Sequence, residues 1–246
     1  MNDPTGRRSF LKGCVAAAGM VTIQPELLAQ DGRTVKSYEK SLLVNGRGEA
    51  MTSASFEQDN CYVFHYPFVS TPCFLINIGR QVKGGTPIEG ANDVNYIWPG
   101  GVGPNRSMVA FSAICSHKMS YPTKTMSFIN YRRETVNYRD KQSRFQAGTG
   151  LIYCCSERSA YDPANGGEVL GGPAPQPLTT IILEYDSEQD RYFATGTLGP
   201  EMYPGFFEKF GFRLAMDLKI TDITALTTNQ TEVRHRDEFS AQRVEC

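Results

Sequence analysis

Two short stretches hold residues able to bind a metal ion. The first, AICSHKMSYP, carries Cys115 and His117 as C-x-H. The second, LIYCCSERSAYD, carries the adjacent pair Cys154 and Cys155, then Glu157, Arg158, Ser159 and Tyr161. Thiolate sulfur and imidazole nitrogen are ligands for iron and zinc. A Gly/Pro-rich run, GGPAPQPL, follows and contains Gly172, Pro173 and Pro175. Proline fixes φ, so such a run makes a stiff loop that can lie over a site. C-x-H alone is a weak signal, since a core cysteine beside a surface histidine has the same spelling. The order C-x-H, paired cysteines, Ser-x-Tyr-Asp and proline loop is far more specific.

These stretches need elements to position them. The 246 residues suit one domain with extensions. A hydrophobic share of 40%, with 11% aromatic, is enough for a substantial core and argues against general disorder. The net charge of −1 leaves no basic excess to neutralise phosphates, so no nucleic-acid partner is expected. Runs such as NCYVFHYPF, TPCFLINIG, VNYIWPGG and SMVAFSAIC are aromatic and β-branched, with Gly/Pro punctuation between them. SFINYRRETVNYR alternates like a hairpin, and TTIILEYDSEQDRYFATGTLG reads as two strands around a polar turn. Only PGFFEKFGFRLAM reads as a short helix, weakened by Gly205 and Gly211. The expected fold class is all-β, with antiparallel sheets of many short strands.

The N-terminus has a different character. Arg7-Arg8 precede Phe10, Leu11 and Lys12, and a short apolar run extends from Cys14 to Ile23. The pattern resembles a twin-arginine export signal, with Gly6 departing from its first position. The run, about ten residues, falls short of the ~20 needed to span a bilayer. The expected organisation is a signal or marginal anchor over 1–29 and a loosely attached arm over 30–57. A core domain over 58–200 and a C-terminal extension over 201–246 complete it. Export places the protein in the periplasm or on the periplasmic face of the inner membrane, with membrane association through the N-terminus. Disulfides can form there.

Over about residues 58–200 the sequence resembles the Rieske iron–sulfur family. That family carries a C-x-H loop, a C-x-x-H loop and a downstream G-P-A-P-x-P-L, matched here by Gly172 to Leu178. The resemblance implies a Rieske-type fold with a two-loop cluster subdomain under a proline loop. It also implies one [2Fe–2S] cluster, with two cysteines on one iron and two histidines on the other. Ser159 and Tyr161 match hydroxyls that hydrogen-bond cluster sulfurs in high-potential members and raise the potential.

One ligand is missing. With Ser159-x-Tyr161-Asp162 setting the frame, Cys154 takes the cysteine position and Glu157 the second histidine position. A one-residue slip offers Cys155 and Arg158 instead. The candidate ligand set is therefore Cys115, His117, Cys154 or Cys155, and Glu157. Ser120 and Ser156 stand where many family members carry a disulfide bracing the two loops. Three readings remain open: a cluster with non-standard ligation, a histidine entering from His65 or His235, or a lost cluster on a surviving fold. Cys61 and Cys73 read as buried small hydrophobes, Cys246 as a partner for either, and Trp98 as core.

The resemblance implies an electron-transfer subunit of a respiratory oxidoreductase rather than a stand-alone enzyme. Its partner would be a cytochrome or another redox subunit. The family's familiar role is quinol:cytochrome c reductase, but the missing imidazole is the one that faces quinol there. A cluster-free module that binds a partner through its proline loop is the rival from another class.

Overall fold

The computed structural model describes residues 34–91 and 94–246. The signal expected over 1–29 lies outside them. The chain is built on β-structure, as expected, with a main sheet, a small sheet, a loop joining the two, a second loop at the tip of a small-sheet hairpin, and a proline loop.

The main sheet has eight strands, in the spatial order Gln230–Glu232, Val35–Val44, Arg191–Leu198, Thr180–Asp186, Met108–Ser112, Pro72–Asn77, Asn60–His65, Arg234–His235. All pairings are antiparallel except Gln230–Glu232 with Val35–Val44. The strand Pro72–Asn77 is buried at every position, and Asn60–His65 at all but His65. Side chains alternate across a strand. Cys61, Val63, Phe74, Ile76, Val109 and Phe111 therefore enter one apolar core, and Tyr62, Phe64, Cys73, Leu75, Met108 and Ala110 the other. The first core also holds Trp98, Cys115, Cys154, Tyr161 and Leu178. The loops that carry the chemistry are thus seated on one face of the main sheet.

The small sheet has four antiparallel strands, in the order Glu168–Gly171, Ser159–Asp162, Leu151–Cys154, Ile129–Arg132. Ile129–Arg132 pairs with Leu151–Cys154, while Val136–Arg139 pairs with Phe145–Gly148. SFINYRRETVNYR is therefore not the hairpin its alternation suggests. Both halves are extended, but each finds its partner further along the chain, and alternation reports a strand without reporting its neighbour. Thr180–Asp186 and Arg191–Leu198 do form one hairpin.

The two ends of the described chain depart most from expectation. Residues 34–57 are no loose arm: Val35–Val44 pairs with Arg191–Leu198 on one side and Gln230–Glu232 on the other. Residues 201–246 are no appendage either. Gln230–Glu232 extends one edge of the main sheet, and Arg234–His235 covers the other by pairing with Asn60–His65. One short segment thereby covers two edges that would otherwise present unpaired backbone groups. Between the sheet and this segment runs a helix of 16 residues, Tyr203–Leu218, with Pro204 in its first turn. It buries Tyr203, Phe206 and Leu214, and Tyr121 packs edge-on against Phe206 and Phe210 at ring separations of 4.9 and 5.1 Å. This aromatic packing outweighs the penalty of about 1 kcal/mol for each interior glycine. Among the described residues no helix is long and apolar enough to cross a membrane.

A candidate cysteine centre between two loop tips

The first loop leaves the strand Met108–Ser112 and closes on itself. Cys115 N–H donates to Ser120 O at 2.9 Å, and Met119 N–H donates to Cys115 O at 2.9 Å. The second loop is the four-residue tip, 155–158, of a hairpin in which Cys154 lies opposite Ser159 and Ile152 opposite Tyr161. Arg158 N–H closes it onto Cys154 O at 2.7 Å, with Arg158 in the left-handed region at φ 60°. The two tips meet so that the buried, free Cys115 and Cys154 sulfurs act on each other electrostatically.

Donors converge on this sulfur pair. Tyr161 Oη lies 3.3 Å from Cys115 Sγ and accepts from Ser116 N–H at 3.1 Å. The Ser159 hydroxyl and the His117 backbone N–H also act on Cys115. The Ser120 hydroxyl and Ser156 N–H act on Cys154. The consequence is electrostatic. The Cys154 thiol, with help from Tyr161, His117 and Ser159, pulls Cys115 down to about 6 against the opposing effect of burial. Cys154 is pushed well above the usual thiol range, first by Cys115 and then by burial. Burial, then the neighbouring Cys115 sulfur, holds the Tyr161 phenol protonated. The pair thus favours negative charge on Cys115 and a proton on Cys154.

His117 Nδ1 and Ser159 Oγ are among the buried polar atoms without a hydrogen-bond partner. The Glu157 carboxylate, by contrast, has a partner in Lys118 Nζ on the opposite tip. That ion pair holds Glu157 below its ordinary carboxylate value. Among the described residues no three His, Cys, Asp or Glu side chains converge as a metal-ion site.

The proline loop joins both tips. Ser116 Oγ–H donates to Gln176 O at 2.7 Å, and Gly172 N–H donates to Arg139 O at 3.0 Å. Gly172 has φ 81°, and a Cβ there would lie 2.4 Å from Arg158 O and 2.6 Å from Ser159 Cα. Only glycine permits that approach. Pro173 and Pro175 face solvent above it.

The structure decides between the two adjacent cysteines. Cys155 is bonded to Cys246 across a sequence separation of 91 residues, with Cα atoms 5.8 Å apart. Its sulfur is committed, which corrects its place among the candidate ligands and leaves Cys154. The pairing of Cys246 with Cys61 or Cys73 is corrected too, since both remain free and buried. His65 packs against Phe239 at a ring separation of 5.7 Å. His235 Nε2 lies 3.1 Å from Asn60 Oδ1, and its Nδ1 accepts from Asp237 N–H. The contacts of both imidazoles thus lie away from the sulfur pair. The sequence reading missed the roles of Ser116 and Ser120 and the pairing of Lys118 with Glu157. Opposite charges at two loop tips were the one available signal for that pairing.

No known family's sequence profile matches the chain. Among solved structures it is similar to the soluble domain of the Rieske protein II (soxF) from Sulfolobus acidocaldarius. The likeness spans 65% of this chain and 78% of that one, at 25% identity and a TM-score of 0.43.

Proposed function

We propose that the protein is an exported Rieske-type electron-transfer subunit of a respiratory oxidoreductase, passing electrons toward a cytochrome c-like acceptor. The observation that carries this is the buried pair of free cysteines, Cys115 and Cys154, brought together from two loops with donors on both sulfurs. These residues fit the sulfur-held half of a [2Fe–2S] cluster, with Cys115 and Cys154 as its thiolates and His117 as a ligand on the other half. Such a cluster, when bound, takes up and releases single electrons. The chain's own part is to hold two sulfurs in fixed register on facing loops and exclude water with the proline loop. Donation from Tyr161 stabilises negative charge at Cys115. The Cys155–Cys246 bond supports an oxidising compartment, in keeping with the twin-arginine pattern.

A second reading has its own observation. Glu157 occupies the fourth ligand position but is tied to Lys118, so no imidazole or free carboxylate completes the nitrogen-held half. A cluster-free module built on the same loops would look like this. Iron and acid-labile sulfide assays with EPR, on protein recovered from its native export route, separate the two. Stoichiometric iron and sulfide with a reduced-state signal support the carrier; folded protein free of both overturns it.

A further inference from the structure

We propose that the Cys155–Cys246 disulfide is a reducible clasp by which the C-terminal segment holds the second loop, and with it Cys154, in place. The segment reaches the small sheet through a run of short noncovalent attachments, Ser240 Oγ–H to Thr123 O among them. Gln242–Arg243 pairs with Met126–Ser127, Ala241 N–H donates to Lys124 O, and Val244 N–H donates to Ser127 O at 2.9 Å. Arg132, buried and opposite Leu151 in the small sheet, donates from one Nη2 to both Val244 O and Cys155 Sγ. Past Val244 the disulfide is the attachment. It ends on the residue next to Cys154, at the base of a tip only four residues long. The lever arm from clasp to sulfur pair is therefore a single peptide unit.

Across the tips, the noncovalent ties are the exposed Lys118–Glu157 ion pair and the contacts of the sulfur pair itself. An exposed ion pair holds a loop weakly. A covalent bond spanning 91 residues of sequence restricts the open state far more strongly. The bond is also accessible, with Cys246 exposed and Cys155 half-buried. A dithiol reductant can attack it through a mixed disulfide. The S–S bond breaks, two protein thiols form, and two electrons and two protons come from the dithiol, which leaves as its own disulfide. In the open form the second loop keeps only noncovalent ties: its hairpin, the pairing of Leu151–Cys154 with Ile129–Arg132, the Cys155 N–H to Phe128 O bond at 2.8 Å and the Lys118–Glu157 pair. The assignment of Cys154 as a metal-binding sulfur rests on the function proposed above; the ordering of the loop by Cys246 does not.

The test uses the full chain as wild type, Cys246→Ser and Cys155→Ser, with readouts that need no iron. Peptide mapping under non-reducing conditions should find residues 155 and 246 linked in the wild type. Amide hydrogen exchange over 152–158 should quicken by about tenfold or more in either variant. Alkylation of Cys154 should quicken in parallel, while the hairpin 180–198 serves as an unchanged internal standard. Dithiothreitol should produce the same change in wild type and none in Cys246→Ser. A linked wild type whose exchange over 152–158 is unmoved by substitution and by reductant overturns the proposal, as does a chain with no 155–246 link. Should a variant lose protection over 180–198 as well, reductant on wild type decides the matter. If protein from the native export route is folded and free of iron and sulfide while its loop protection still depends on the bond, the electron-carrier reading fails and the clasp stands.

Discussion

Four buried cysteines divide into two pairs that differ in what surrounds them. Cys61 and Cys73 lie on neighbouring strands of the main sheet and face opposite cores. Their sulfurs meet carbonyl oxygens, of Tyr62 at 3.6 Å and Tyr66 at 3.0 Å, and burial pushes Cys61 up to about 12 and Cys73 higher still. Cys115 and Cys154 are buried as completely, yet Cys115 moves the other way. Burial is common to all four and cannot be the cause of the difference. The Cys154 thiol is the first cause, followed by converging N–H and O–H groups, because these stabilise the charged form that burial opposes. Two facing loops supply such donors freely; a continuous strand has already spent its N–H groups on the ladder.

The sharpest way to break this contrast is to delete one sulfur from each pair. Cys115→Ala should abolish iron binding outright in the native exported protein. Cys61→Ala should keep full iron occupancy and cost about 1–2 kcal/mol of stability as a small core cavity. Iron quantification and urea denaturation of the two variants read the outcomes. Equal iron content in both would remove the distinction between the pairs.

His65 extends the comparison to a half-buried imidazole for which burial and the cations Lys124 and Arg234 outweigh the carboxylate of Glu232. Burial, aided by Lys124 and Arg234, lowers its pKa to about 4 from the ordinary 6.5. Above 6.5 both folded and unfolded chains hold it neutral, so it costs nothing. Between 6.5 and 4 the unfolded chain takes up a proton that the folded chain does not, and stability falls as pH falls. The loss reaches about 3 kcal/mol at most. Wild type minus His65→Gln, by urea denaturation at stepwise pH, should show that slope across this window. Parallel curves would mean the imidazole titrates alike in both states.

Tyr161→Phe removes one donor from Cys115 and leaves the ring in place. Its thiolate absorbance near 240 nm should then titrate at higher pH than in wild type, and stability should drop by about 1 kcal/mol. In metal-loaded protein the same change should lower the reduction potential, since one donor to sulfur is gone. An unmoved thiolate titration would show that Tyr161 packs without donating.

Legibility in the sequence followed the range of the physics. Strand runs such as PCFLIN and the hairpin around DSEQD were readable because period-two patterning and turn chemistry are local. Cys115, Cys154 and Tyr161 were readable as candidates because their types and order are also written locally. Partners were not. The strands of SFINYRRETVNYR pair elsewhere, and the tail segment Gln230–His235 closes the main sheet from more than 160 residues away from Asn60–His65, a pairing that no window of sequence contains. The choice between Cys154 and Cys155 turned on the same kind of information. Adjacent side chains on an extended strand point apart, so one faces Cys115 and the other faces outward. Which is which depends on where Cys246 arrives.

The smallest effect concerns the Lys118–Glu157 pair, which joins the same two tips as the sulfurs but in water. Its side chains are 56% and 34% exposed, so solvent and salt screen their attraction. Lys118→Gln should leave the melting temperature in about 0.5 M salt equal to that of wild type, because the pair is already screened there. The variant tests more than stability, since it frees the Glu157 carboxylate at the mouth of the site. If the carboxylate serves as the fourth ligand, Lys118→Gln should raise iron occupancy in the native exported protein and Glu157→Gln should lower it. If both variants hold the same iron as wild type, Glu157 is a surface partner of Lys118 and nothing more. The whole difference between the two tips would then lie in the buried sulfurs.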